Sequence, residues 1–289
     1  MKCIFADPKY YIMKSVFLSL VLMLIVFQNV QSQELVYARL KGSFTVEELK
    51  AIFNNSYIQF PVRYFEIGYT SADAKGVKDT LTGLVVAPDW VYPTMVYQHG
   101  ASSCKTCVPS RLGSTGGGEG RLSAVLAGAG YVVVTPDYVG MGNGRGFQSY
   151  VHSATINSAT EDMLTAIQYF KVDGDTTNLF HTTDHLFITG YSQGGYAAMS
   201  FHKYMQEKYG TSSVTAATYL SGPYSLSGVM RDVTLGESPY FYPAYIPNTI
   251  MGYNEVYELF ESAADFFNLV ILNSSWKFEL ILSFEGRQS

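Results

Sequence analysis

Gly190-Tyr191-Ser192-Gln193-Gly194 sets a serine between two residues that carry no side chain. A serine in G-x-S-x-G has chemical meaning when a buried strand runs into it and a helix leaves it. The sharp turn then lifts the hydroxyl clear of the sheet, and Gly190 and Gly194 let the turn close. The free N–H groups and dipole of the following helix point at charge developing on a substrate. The chemistry this suits is nucleophilic attack on an acyl group. A second pair, His99-Gly100, ends an apolar run, and Cys104 and Cys107 form a C-x-x-C.

The elements that must position these residues are legible as alternating patterns. Residues 45–55 read as an amphipathic helix, with Thr45 and Glu48 at capping-box spacing and Asn54-Asn55 at its end. Val62–Thr70 and Leu81–Ala87 read as paired strands across a polar turn, and Thr94–Gln98 as a third strand ending at His99-Gly100. Then come a helix from Arg121 to Ala129, a buried strand Tyr131–Thr135, a helix Ala159–Phe170 and a second buried strand His185–Thr189. A helix Gln193–Tyr209 and a strand Val214–Ser221 complete the alternation. An antiparallel start followed by β-α-β-α-β predicts an α/β fold, a mostly parallel sheet with helices on both faces. Residues 223–253 are rich in Pro, Tyr and Gly, and Glu255–Phe267 reads as a helix, so 223–267 is expected to form a partial helical cap. The division expected is 1–32 export signal, 33–222 core, 223–267 cap-like segment and 268–289 unassigned tail.

In such a sheet the strand ending at His99 lies beside the strand that carries Ser192. Backbone N–H groups at Gly100 or Ala101, with that of Gln193, are then the expected oxyanion hole, each donor worth on the order of 3 kcal/mol. His99 is expected to shape the loop. Asp137 is expected to fix the loop after its strand, and Glu161-Asp162 to cap or solvate the helix they begin.

Four segments together carry a family resemblance: Thr135-Pro136-Asp137-Tyr138-Val139-Gly140-Met141-Gly142, Ser149-Tyr150-Val151-His152, Gly190–Gly195, and Ser221-Gly222-Pro223-Tyr224. Over residues 62–228 the chain resembles the secreted lipase/esterase branch of the α/β-hydrolase superfamily. The resemblance implies hydrolysis of small-molecule carboxylic esters through an acyl-enzyme on Ser192. A serine peptidase of the prolyl-oligopeptidase type is the same-fold alternative, and a non-catalytic secreted binding protein or fragment is the alternative from another class.

The superfamily order is nucleophile, acid, histidine, and the chain departs from it. After Ser192 the sequence has one histidine, His202, ten positions on in the following helix. That is about 15 Å along the helix axis, too far to take the serine's proton. His99, His152, His181 and His185 precede the serine, and Asp232 and Asp265, the aspartates after it, read as cap-surface residues. Residues 268–289 are too few for two further strands, an acid and a base. Two readings follow: a truncated or frameshifted product, or a short variant that uses His152 or His99 as base or does not catalyse. Either way, weak or no turnover is expected.

The remaining signals bound location and partners. Lys9 and Lys14 precede the apolar run Val16–Phe27, and Val30-Gln31-Ser32 follows it. This is the form of a signal cleaved near Ser32, which implies a secreted or periplasmic protein. The run of 12 residues is short of the roughly 20 that span a bilayer, so no stable membrane insertion is expected after cleavage. In an oxidising compartment Cys104 and Cys107 are expected to form a structural disulfide. A net charge of −5 without a long basic run argues against nucleic acid. No metal, nucleotide or flavin motif appears, and no cofactor is expected. The 23 tyrosines and 18 phenylalanines fit either a Tyr-rich core or an apolar substrate cleft.

Overall fold

The computed structural model describes residues 34–89, 92–102, 104–114, 117–168, 182–237 and 240–262. The expected export signal, the end of the expected 255–267 helix and the 268–289 tail lie outside the described residues.

Among the described residues, seven strands form one open sheet in the order β1-β2-β3-β5-β4-β6-β7. They are β1 (Leu35–Phe44), β2 (Val62–Ala72), β3 (Lys78–Ala87), β4 (Tyr92–Gln98), β5 (Val132–Pro136), β6 (Thr182–Tyr191) and β7 (Ala216–Leu220). Pairing is antiparallel from β1 through β3 and between β3 and β5, and parallel among β5, β4, β6 and β7. The helices are α1 (Val46–Ile52), α2 (Gly120–Gly128), α3 (Ser153–Ile167), α4 (Gln193–Tyr209), α5 (Arg231–Leu235) and α6 (Tyr245–Tyr257). Helices α2, α3 and α4 make the crossovers between parallel strands, as the alternation required.

Strand period places the core on both faces. Leu84, Val86, Met95, Tyr97 and Val133 point one way, packing with Leu49 of α1 and Ala124 and Ala127 of α2. Val85, Ala87, Val132 and Val134 point the other way, onto Ala159, Met163 and Ala166 of α3. Val96 and Ile188 meet Ala198 and Phe201 of α4 on that second face. Alternate residues thus feed two separate cores, so β5 is buried along its whole length. The capping box of α1 forms in full: Glu48 N–H donates to Thr45 Oγ1 at 3.2 Å, and Thr45 N–H to Glu48 Oε2 at 2.8 Å.

Four expectations need correction. Strand β1, at the antiparallel edge, was not expected. Half of its ten residues are exposed and of them all only Ala38 is buried, so burial leaves little alternating signal. Helix α1 stops at Ile52, short of Asn54-Asn55, because Phe53 turns to an extended conformation. Helix α3 begins at Ser153, not Ala159, since His152 caps it; Glu161 and Asp162 are therefore mid-helix and neither caps it. Glu161 instead accepts from Tyr204 and Lys208 of α4, and Asp162 from Ser71 of β2 at 2.6 Å. The last described helix spans Tyr245–Tyr257 rather than starting at Glu255. Pro247 falls in its first turn, where a missing N–H costs nothing, and Glu258 ends it in the left-handed region at φ +51°.

Candidate active site

The sheet registers set the site at one level. Gln98 of β4 lies opposite Gly190 of β6, and Tyr191 opposite Leu220 of β7. Three parallel strands therefore finish side by side, at the carboxyl end where open α/β sheets place their sites.

Ser192 joins β6 to α4 with φ +58° and ψ −122°. A side chain held there is strained by about 1–3 kcal/mol and persists only where its surroundings over-determine it. Those surroundings are backbone. Ser192 N–H donates to the Leu220 carbonyl at 2.8 Å, while Ser192 C=O accepts from Gly195 at 2.9 Å and Tyr196 at 3.3 Å. A Cβ on Gly190 would collide with the Gly194 carbonyl, and a Cβ on Gly194 with the Gln98 carbonyl. The two glycines are thus points where β4, the turn and α4 pass backbone to backbone. Ser192 is half-buried, and among the described residues no side chain hydrogen-bonds its Oγ.

Gln193, the first residue of α4, is 1% exposed. Gly100 is buried beside the elbow: a Cβ built on it would stand 3.7 Å from the Tyr191 carbonyl and 3.7 Å from Glu119 Oε2. Gly100 is thus at the elbow, with Ala101 following it half-buried. Cys104 and Cys107 are joined by a disulfide three residues further along this loop. Within the closed loop, the Lys105 carbonyl accepts from Gly142 N–H at 2.9 Å, and its Nζ donates to the Gly146 carbonyl at 3.0 Å.

Asp137 and His99 form the floor beneath these loops. Asp137 is fully buried and accepts from Thr82 Oγ1 at 2.7 Å, Ser110 N at 3.0 Å and Ser110 Oγ at 2.5 Å. Burial raises its pKa, and the Ser110 and Thr82 hydrogen bonds pull against that. Its lone pairs tie β3, the Pro109–Arg111 turn and the loop after β5 together. His99 is fully buried, donates from Nδ1 to the Gly100 carbonyl at 2.8 Å and stacks on Tyr138 with ring centroids 4.3 Å apart. Burial holds its pKa down at about 4, against the raising effect of the Gly100 and Asp137 backbone. Tyr138, at φ +73°, donates its hydroxyl to the His99 carbonyl at 2.9 Å.

The other described histidines are engaged elsewhere. His152 caps α3 through Nδ1, which accepts from Thr155 N–H at 3.4 Å, and its Nε2 meets the Tyr257 hydroxyl at 3.0 Å. Burial lowers its pKa. His185 Nδ1 pairs with Thr215 Oγ1 at 3.3 Å, and His202 Nδ1 pairs with the Tyr219 hydroxyl. His181 lies outside the described residues. Asp232 forms an exposed ion pair with Arg231, and Asp265 also lies outside the described residues. Among the described residues, the structure therefore brings Ser192, Gln193, Gly100 and Glu119 together and sets no histidine against the serine. Sequence reasoning missed Glu119, which follows the glycine run Gly116-Gly117-Gly118 without a motif around it. It also missed Thr82 and Ser110, which no local pattern links to Asp137.

Helix α6 packs on the loop that links β5 to α3. Tyr245 stacks on Tyr150 at 6.0 Å, the Tyr253 hydroxyl donates to the Val151 carbonyl at 3.4 Å, and Lys75 pairs with Glu258 at 2.6 Å.

The comparisons with known proteins agree with this architecture. The sequence model of the Prolyl oligopeptidase family matches residues 121–217, about a third of the chain, from α2 into β7. A Legionella pneumophila protein superposes with a TM-score of 0.69 at 23% identity, over 81% of this chain and 64% of its own. The rice cell wall degrading esterase LipA from Xanthomonas oryzae gives 0.68 at 23% identity, over 81% and 63%. Candida antarctica lipase A gives 0.56 at 15%, over 81% and 52%. The chain thus has the α/β-hydrolase fold, as these esterases and lipases do, and spans less than two thirds of the length of each. No curated protein matches it by sequence.

Proposed function

We propose that this chain carries the nucleophile half of a serine hydrolase acting on small-molecule carboxylic esters. Ser192 is the nucleophile, and the N–H groups of Gln193 and of Gly100 or Ala101 receive the oxyanion. The observation that carries the reading is the strained backbone of Ser192 at φ +58°, held between the end of a parallel strand and a helix. Strain retained at a solvent-reachable hydroxyl fits a reactive position better than a packing one. Attack by Oγ on the ester carbon would form an acyl-enzyme and release the alcohol, and water would then release the acid. Every described histidine has its own partner away from Ser192, so turnover by the described residues is expected to be weak. Residues 223–267 would act as a cap over this site, and the 16–27 apolar run would direct export.

A fluorophosphonate probe tests the reading. Labelling of the full chain that disappears in Ser192→Ala supports it. Equal labelling of both, or none of either, overturns it. The Prolyl oligopeptidase match over 121–217 favours a second reading, a serine peptidase. Faster acylation of Ser192 by an N-blocked Gly-Pro p-nitroanilide than by p-nitrophenyl butyrate would select it.

A further inference from the structure

Glu119 ends the short turn Gly117–Glu119 and stands at the N-cap position of α2. A carboxylate there would ordinarily accept a free helix amide, yet its side chain makes no capping bond. It turns toward Gly100, with Oε2 3.7 Å from the point a Gly100 Cβ would occupy, next to the Tyr191 carbonyl. Among the described residues it has no hydrogen bond and no ion pair. The cation of the neighbouring turn, Arg111, is taken by Glu66 at 3.7 Å and by Asn143 at 2.9 Å. Its charge is felt inside the site: with burial as the larger cause, it helps push up the Tyr97 and Tyr138 hydroxyls.

A half-buried carboxylate with no counter-charge among the described residues, set against an oxyanion loop, is poorly placed for an anionic ester. It adds to the negative charge that must develop at the neighbouring carbonyl. A substrate that brings its own positive charge removes that cost. We infer that Glu119 is a specificity-determining residue that selects substrates bearing an alkylammonium group beside the ester. The inference rests on the reading of Ser192 as nucleophile for its reaction, but not for its binding.

Two fluorophosphonates identical except for a terminal trimethylammonium or tert-butyl group test it. In each, the Oγ–P bond forms as fluoride leaves and the serine proton passes to solvent. The cationic probe is expected to label Ser192 about fivefold faster, the upper end for a solvent-exposed charge pair. Glu119→Gln is expected to abolish that ratio and Glu119→Asp to retain part of it. Equal rates in the unaltered chain, or a preference that survives Glu119→Gln, overturn the inference. A binding arm decides it independently of reactivity. In Ser192→Ala, phenyltrimethylammonium is expected to shift the Gly100 and Tyr191 amide resonances, and tert-butylbenzene is not. The same shifts persisting in Ser192→Ala combined with Glu119→Gln, or no shifts at all, overturn it. Absence of labelling by both probes, with the ammonium shifts intact, sinks the hydrolase reading and leaves the cation site standing.

Discussion

Around Ser192 the contacts that fix the chain are backbone against backbone, whereas α6 meets the loop before α3 in that way at Gly252, against Tyr150 N and the Gln148 carbonyl, and is otherwise held there by side chains. At the elbow, the Leu220 carbonyl holds Ser192 N–H, and the Gln98 and Gly194 carbonyls occupy the space where side chains would be. On the other side a tyrosine stack, a His152–Tyr257 hydrogen bond and the Lys75–Glu258 ion pair do the holding, and only Gly252 of α6 is fully buried. Backbone interpenetration tolerates almost no substitution and cannot be undone by pH. Side-chain latches can be cut one at a time and can titrate. The elbow should therefore behave as a rigid unit and the α6 segment as an opening one.

The largest expected effect breaks the rigid side. Gly194→Val puts a branched side chain into the Gln98 carbonyl, where the obstacle is a strand that cannot move aside. Destabilisation of 3 kcal/mol or more, roughly, is expected in chemical unfolding. Gly118→Ala is the matched control, since open space surrounds that position, and it should stay within about 0.5 kcal/mol. Comparable losses for the two would mean that the elbow is not the tight point described. Next in size is Asp137→Asn. One acceptor oxygen becomes a donor facing Thr82 or Ser110, which leaves buried donors unpaired. A loss of about 2–3 kcal/mol is expected in the same measurement. A loss below about 0.5 kcal/mol would show that the floor under the oxyanion loop does not depend on this carboxylate.

This contrast also explains what could be read from the residues alone. Gly190 and Gly194 are legible because close backbone approach leaves glycine as its trace in the sequence. The strand Val132–Pro136 is legible in its apolar run and is buried throughout, whereas the run His185–Thr189 marks only the middle of Thr182–Tyr191, which was expected to be buried and is so only at Ile188 and Gly190. Side-chain latches leave no local trace. Nothing near His152 announces Tyr257, which lies 105 residues away, and Ser153–Ser158 looks too polar to open a helix until the imidazole is seen to cap it. The 223–253 stretch reads only as rich in Pro, Tyr and Gly, although Pro247 in a first turn is compatible with the helix that forms there. Glu119 was illegible for the same reason as Tyr257: its meaning lies in Gly100, brought near only by the crossover through α2.

The smaller predictions concern the opening side. His152 can cap α3 only while Nδ1 is unprotonated, and Tyr253 and Tyr257 enclose the ring edge-on. Its folded pKa lies below the ordinary value of about 6.5 because burial disfavours the cation. The stability it contributes is therefore complete above that ordinary value and is lost as pH falls through the folded one. Limited proteolysis within 240–258 should accelerate over that acidic window. His152→Asn, which keeps a cap acceptor that does not titrate, should flatten the dependence while the elbow amides stay protected from exchange. An unchanged pH profile in His152→Asn would move the latch to another group. The smallest effect belongs to Lys75→Met. The pair Lys75–Glu258 is short, at 2.6 Å, and sits in solvent, where attraction is screened and two mobile side chains must be ordered to make it. Thermal unfolding should not shift measurably. A clear fall in melting temperature would mean that the β2–β3 turn, and not the imidazole, is what holds the end of α6 in place.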